Sequence, residues 1–151
     1  MISWSQRSKK STTRLGFGIY NLEFTLMDLY GEIILDHYKN PHHHGRIEQP
    51  TLWAEDANPL CGDKIRLDVV LDKDGRVSDV GFSGEGCAIS QASTSMLTDE
   101  LIGKTLPEIQ NISNENVYEW LQVPLSPARV KCALLGLVVA KKAITLYKIS
   151  A

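Results

Sequence analysis

The sequence predicts a single domain of the α+β class, in which a small antiparallel three-stranded sheet is followed by helices packed on it. Two observations carry this prediction. Apolar and charged residues alternate from Lys64 to Leu71, which is the period-two pattern of a half-buried strand, and from Ala88 onward the apolar spacing becomes helical. A chain of 151 residues is long enough to bury a substantial core without a disulfide or metal to hold it together.

The first 26 residues differ in composition from the rest. They are basic and rich in hydroxyl side chains, and the first acidic residue is Glu23. This composition predicts a disordered N-terminal extension over 1–26, and the single domain is expected to cover 27–151. The same composition is typical of an organellar transit peptide, but Met27 resembles a natural start, and we favour an extension.

A first helix is expected after Asp28, which can serve as its N-cap. It should end at Asn40, because the residue before Pro41 avoids the helical region. One face of this helix carries four larger side chains, namely Tyr30, Ile33, Ile34 and Tyr38.

All four histidines lie close together in and after this helix, at His37, His42, His43 and His44. Three adjacent histidines suggest a metal site. Neighbouring residues in a loop point in different directions, however, so we expect a solvated polar loop.

Three strands form the predicted meander, at Thr51–Ala57, Ile65–Leu71 and Arg76–Phe82. A turn at Asn58 and Pro59 ends the first strand, and this places Cys61 and Asp63 in the connection. The second turn, at residues 72–75, has the Asp-Lys-Asp-Gly sequence of a hairpin and lacks the remaining ligands of a calcium loop.

Four helices are expected after the sheet. One begins at Ala88 and ends before Gly103, with Cys87 just ahead of its first turn. Ile89, Ala92, Met96 and Leu97 should face inward. The others are expected at Leu106–Ile109, at Asn114–Leu121 and from Pro127 to about Tyr147.

The last of these helices is apolar on all sides between Ala133 and Ala140. A helix of this kind is buried on more than one side or is covered by a partner subunit, so a homo-oligomer is one prediction.

Charge and cysteine content exclude several classes of function. A net charge of −2 gives no field that would attract nucleic acid, and no apolar run is long enough to span a bilayer. Three cysteines are an odd number at low density, and we found no secretory signal ahead of them, which favours a reducing, cytoplasmic location and free or metal-bound thiols.

The positions of the cysteines bear on their chemistry, because thiolate is the form that binds metal and attacks sulfur. Cys87 precedes a helix, where amide groups stabilise an anion. Cys132 lies just inside another helix with Arg129 and Lys131 nearby, and Cys61 is in a loop beside a glycine. The alternative is that cysteines such as Cys132 are ordinary core residues.

Asp63 alone is most often a carboxylate that caps a loop. Its spacing of two residues from Cys61 would also let one turn present both side chains to a single ion.

The pattern from about Leu29 to Ala143 resembles the IscU/NifU-type scaffolds of iron-sulfur cluster assembly, including their SufU branch. Four segments carry the resemblance, and they are Leu35 to Pro41, Asn58 to Asp63, Phe82 to Ser90 and Arg129 to Cys132. It implies an α+β fold and one exposed site that holds zinc or a nascent cluster. The residues that match the family's ligands are Cys61, Asp63, Cys87 and Cys132.

Two departures from the family pattern point to different branches. Lys131 stands where IscU-type members have a histidine, and this favours SufU. The span from Cys87 to Cys132 is short, however, and is closer to the IscU length. The Leu-Pro-Pro-Val-Lys segment that specialised chaperones recognise is also absent.

The function implied by this resemblance is that of a scaffold rather than a turnover enzyme. Such a scaffold accepts sulfur from a cysteine desulfurase at Cys61 or Cys132, binds iron, holds a transient 2Fe-2S cluster anchored by Cys87, and passes it to apo-proteins. Asp63 would tune release, because a hard oxygen among thiolates is a weak ligand.

The main alternative is a zinc-dependent sulfurtransferase that relays persulfide sulfur. A structural zinc module would normally have a closed set of cysteines and histidines, and a thiol hydrolase would need a base that the sequence does not supply.

Overall fold

The computed structural model describes residues 29, 31–60 and 62–150. The expectations for the extension 1–26 and for the cap at Asp28 therefore concern residues outside the described ones, as do those for Tyr30 and Cys61. The elements are helix α1 (31–39), strands β1 (Leu52–Asn58), β2 (Asp63–Leu71) and β3 (Val77–Glu85), and helices α2 (Ala88–Leu101), α3 (Leu106–Gln110), α4 (Asn114–Leu121) and α5 (Pro127–Ser150).

The three strands form one antiparallel sheet in the order β1-β2-β3. The predicted α+β class and the meander are thus confirmed. Two strand boundaries differ from the prediction by more than one residue. Asp63 is the first residue of β2, since its backbone pairs with Asn58, and it does not lie in the connection.

Strand β3 also extends beyond the predicted Phe82 to Glu85. Gly84 makes this possible, because its φ of 135° and its lack of a side chain let the strand pass the carbonyl of Lys64, which a Cβ would meet.

Helix α5 lies at the centre of the molecule and contacts β1, β2, α2, α3 and α4. Its apolar middle is covered by this chain, as the sequence predicted for a helix buried on more than one side. Val138 is the main exception, at 49% exposed. The prediction of a homo-oligomer stays a prediction. Within the described part of the chain, no helix has the length and apolarity needed to cross a membrane.

Helix α2 is buried on nearly all sides, although much of it is polar. Of the predicted inward-facing residues, Ala92, Met96 and Leu97 are buried and Ile89 is partly buried. The serine and threonine hydroxyls are buried with them because they bond to carbonyls of their own helix. Ser93, Thr94 and Thr98 donate to carbonyl oxygens three or four residues earlier, at 3.2, 2.7 and 2.6 Å.

The histidine loop is exposed to solvent, as predicted, with His42, His43 and His44 all exposed, but it is also attached to the neighbouring elements. His42 Nδ1 lies 2.7 Å from Asp99 Oδ2, and His43 Nδ1 lies 3.0 Å from Thr98 Oγ1. The other side of the loop is attached to β3, where the Phe82 amide donates to the carbonyl of His43 at 2.9 Å. Helix α1 leads into this loop with Ile34 buried and Tyr38 exposed on its surface.

Helices α2 and α5 approach each other closely at Gly136. A Cβ at this position would lie 2.6 Å from Thr94 Oγ1 and 3.3 Å from Thr94 Cα. Contacts this short leave no room for a side chain, so the two helices can pack at this distance only with glycine at 136.

We predict that Gly136→Ala destabilises the fold by about 1–3 kcal/mol, because the added methyl overpacks the contact with Thr94. Urea denaturation of the purified variant measures this change. Gly31→Ala is the matched control, since a Cβ there meets no atom of the described residues within 4 Å and alanine favours a helix. Equal stability of Gly136→Ala and wild type would contradict the packing argument.

Candidate metal centre

Asp63 is positioned by the β1–β2 hairpin and is almost fully buried, at 1% exposed. Gly62 closes the turn before it with a φ of 72° and donates its N–H to the carbonyl of Asn58 at 2.9 Å. Asp63 Oδ1 accepts the backbone N–H of Cys87 at 3.0 Å.

The second oxygen of this carboxylate has no hydrogen-bond partner among the described residues. Asp63 Oδ2 is one of two such buried side-chain atoms among the described residues, the other being Nε2 of Gln91. Leaving a buried carboxylate oxygen unpaired is unfavourable, and a cation would relieve this cost.

Cys87 is the N-cap residue of α2 and is partly buried. Burial raises the pKa of its thiol, as does the negative charge of Asp63. The backbone N–H groups of Ser90 and Ile89 and the thiol of Cys132 act in the opposite direction, and the pKa of Cys87 is lowered overall. These amides approach the sulfur without forming a regular capping hydrogen bond. The predicted helix N-terminus therefore does favour thiolate here.

Gly86 lets β3 and α2 meet at this point. A Cβ on Gly86 would lie 2.9 Å from Asp63 Oδ1 and would also collide with Ser90 Oγ. The glycine before Cys87 is thus required because the Asp63 carboxylate occupies the space of a side chain.

Cys132 comes from α5 and is completely buried. Its sulfur lies 3.7 Å from the carbonyl oxygen of Ala128 and 3.9 Å from Nδ2 of Asn58. Arg129 and Lys131, which the sequence places nearby, are exposed on the surface of the helix. The expectation of one exposed site is therefore wrong for Asp63 and Cys132, because α5 packs against the sheet at this position.

Asn58 is a contributor that sequence reasoning missed. Its buried side chain donates to the sulfur of Cys132 and accepts the N–H of Leu60 through Oδ1 at 3.2 Å. It therefore connects the hairpin loop to α5. The Asn-Pro dipeptide signalled only a turn, and nothing in the sequence pairs Asn58 with a residue 74 positions away.

Three of the four predicted site residues come together in the structure. One carboxylate oxygen of Asp63 and the sulfurs of Cys87 and Cys132 all lie within 4.8 Å of one another. Cys61 is outside the described residues and stands between Asn58 and Asp63 in the sequence. Two sulfurs and one oxygen at this spacing, with one oxygen unpaired, form a donor set that fits a zinc or iron ion.

The family model of the NifU-like N-terminal domain matches residues 29–151 of this chain. The chain belongs to this family. It is 35% identical over 127 residues to the iron-sulfur cluster assembly scaffold protein IscU of Buchnera aphidicola, a match that covers 79% of this chain and 95% of the relative. It is also 39% identical over 125 residues to the zinc-dependent sulfurtransferase SufU of Bacillus subtilis, covering 72% and 84%.

Solved structures agree with this membership. A proposed SUF-system scaffold protein from Fervidobacterium islandicum superposes with a TM-score of 0.66 at 34% identity, covering 75% of this chain and 94% of that one. The N-terminal part of a NifU-like protein from Brucella abortus superposes with a TM-score of 0.67 at 24% identity, covering 83% and 99%, and supports the fold alone.

We predict that Cys87 of the metal-free protein reacts with iodoacetamide at a lower pH than an ordinary cysteine, because its thiolate is stabilised. Asp63→Asn should lower the reaction midpoint further, since it removes the negative charge that raises the pKa of Cys87. Rates of alkylation against pH, resolved by peptide mass spectrometry, measure both effects.

Asp79→Asn is the matched control, because it removes an exposed carboxylate near the opposite end of β3. A midpoint that rises in Asp63→Asn would mean that the hydrogen bond from the Cys87 amide to Asp63, and not the charge of Asp63, governs the thiol.

Proposed function

We propose that this protein is a scaffold on which iron-sulfur clusters are assembled and from which they are passed to apo-proteins. The observation that carries this proposal is the convergence of Asp63, Cys87 and Cys132, with one carboxylate oxygen unpaired, in a chain that shares its family with IscU proteins.

The types of ligand at this site suit a protein that releases its iron-sulfur cluster. With Cys61 it would comprise three thiolates and one carboxylate, and thiolates are the usual ligands of iron-sulfur clusters. A carboxylate is a harder ligand and binds such clusters less firmly than a fourth thiolate. Asp63 is therefore the residue that we assign to release of a 2Fe-2S cluster.

Sulfur would enter by exchange between thiols. A cysteine thiolate of the scaffold attacks the outer sulfur of a desulfurase persulfide, a new sulfur–sulfur bond forms, and the old one breaks. The electron pair of the broken bond leaves with the desulfurase cysteine as thiolate, so this transfer needs no external oxidant or reductant. A reductant is needed afterwards, when the transferred sulfur takes up two electrons to become the sulfide of a cluster.

Burial favours Cys61 as the first acceptor. The sulfur of Cys132 is fully buried, so a donor bound at the surface has no access to it in this conformation. Cys61 lies in the sequence between Leu60, which is 77% exposed, and Gly62, which is also exposed. Cys87, whose thiol has a lowered pKa, is suited to anchor iron as a thiolate.

The second candidate function is that of a zinc-dependent sulfurtransferase. It is favoured by the SufU relative at 39% identity and by Lys131, which is exposed and precedes Cys132. Zinc would be held by Cys61, Asp63, Cys87 and Cys132, and when bound it would keep the cysteines as thiolates. Both candidates imply a cysteine desulfurase as partner, and the low, odd cysteine count favours the cytoplasm.

The experiment that tests the scaffold is anaerobic reconstitution of the full chain with a cysteine desulfurase, cysteine, ferrous iron and dithiothreitol, the thiol that reduces persulfide sulfur to sulfide. We expect the visible spectrum of a 2Fe-2S cluster and its transfer to an apo-ferredoxin. Lys131→Ala should retain both, because a protonated lysine binds no metal. Cys87→Ser should lose the spectrum.

A different result would identify the sulfurtransferase. If the wild-type protein never acquires the cluster spectrum, yet retains zinc and increases desulfurase turnover with an apo-acceptor, the scaffold proposal is wrong. Trapped persulfide on Cys61, identified by alkylation and mass spectrometry, would then mark the relay residue.

We further predict that Asp63→Ala prolongs the lifetime of a reconstituted cluster several-fold, because the substitution removes the hard ligand. Decay in air and transfer to apo-ferredoxin, both followed by absorbance, measure the lifetime. Asp79→Ala, distant from the site, is the control. Faster decay in Asp63→Ala would show that the carboxylate is needed to hold the cluster rather than to release it.

A further inference from the structure

A second group of metal-ligating side chains lies where α1 and the loop after it meet α2, away from the cysteines. His37 at the end of α1, His42 in the following loop and Asp99 near the end of α2 each offer a ligand atom within 4.8 Å of the other two. The two imidazole rings have centroids 4.5 Å apart and are tilted by 48°. This cluster has nitrogen and oxygen donors and no sulfur.

The cluster is held in place by a buried serine. Ser95 Oγ accepts the backbone N–H of His42 at 2.8 Å and lies 2.7 Å from Nδ1 of His37. One hydroxyl of α2 therefore fixes both the loop and the first ring. A hydrogen bond from one ring nitrogen to the protein is the usual way in which a histidine presents its other nitrogen to a metal.

Asp99 contacts two histidines at once. Its Oδ2 lies 2.7 Å from Nδ1 of His42, and its Oδ1 lies 3.5 Å from Nδ1 of His43. The side chains of His42 and Asp99 are 46% and 42% exposed, so water can reach them and can complete the coordination of an ion.

We propose that His37, His42 and Asp99 form a binding site for a divalent first-row transition-metal ion such as Zn²⁺, separate from the cysteine site. Two imidazoles and a carboxylate are donors that such ions accept readily. The ion would replace the direct contact between His42 Nδ1 and Asp99 Oδ2.

The two sites are separated along one helix. Cys87 and Asp99 are twelve residues apart, which corresponds to about 18 Å at the helical rise. A single ion cannot bridge this distance. The softer thiolate site should bind zinc first, and the histidine site should fill only when zinc is added beyond one equivalent.

The alternative is that Asp99 and Ser95 serve only to attach the loop to α2. That role needs no cation, and it predicts that zinc leaves the histidine rings unchanged. The two explanations therefore differ in what added zinc does to the full chain.

The test is a titration of the full-length protein with zinc alone, under reducing conditions. We expect about one thiolate-ligated ion per chain to bind first and about one further ion to bind more weakly. His42→Gln and Asp99→Asn should each weaken binding of the second ion at least about tenfold and leave binding of the first ion unchanged. His44→Gln is the matched control, since His44 is in the same loop but packs on Phe82.

A second measurement uses only the wild-type protein, so its result does not depend on whether the variants fold. Adding the second equivalent of zinc should shift the imidazole nitrogen resonances of His37 and His42 and leave those of His44 unchanged. When cobalt is used as the probe, the second equivalent should add absorption bands typical of nitrogen and oxygen ligands. It should not increase the thiolate charge-transfer band. Unchanged His37 and His42 resonances, or a second ion retained in both variants, would overturn the proposal. Neither measurement depends on cluster assembly at the cysteines.

Discussion

The close contact between Gly136 of α5 and Thr94 of α2 is the constraint on which the site depends. Cys132 lies four residues before Gly136, and Cys87 lies seven residues before Thr94. Both thiols therefore lie on the N-terminal side of this contact, within about two helical turns of it. The helices bring their cysteines together only because glycine lets the two backbones approach at this distance.

The site also places groups together that repel one another when ionised. The carboxylate of Asp63 raises the pKa of the Cys87 thiol, and burial acts in the same direction. The fold offsets this with the amides at the start of α2, which lower the pKa of Cys87, and with the Cys87 N–H that satisfies one oxygen of Asp63. The other oxygen is left for a cation, which would neutralise the remaining negative charge.

The sequence allowed the strands, the helices and three members of the described site to be predicted, because strand alternation, proline caps and the cysteine motifs are local or family patterns. What it could not supply were contacts between distant segments. Asn58 pairs with Cys132, and His42 pairs with Ser95 and Asp99, across more than 50 residues. The attachment of the histidine loop to α2 was missed for this reason, since its polar partners lie more than 50 residues later in the sequence.

Asn58, the last residue of β1, contacts the site from the side of the β1–β2 hairpin. Its contact with the buried sulfur of Cys132 is 3.9 Å long, and sulfur is a weak acceptor. The Oδ1 of Asn58 also accepts the N–H of Leu60, a residue that is 77% exposed. The Asp63–Cys87 hydrogen bond and the Gly136–Thr94 contact do not involve Asn58, so the elements that hold the ligands do not depend on this weak contact.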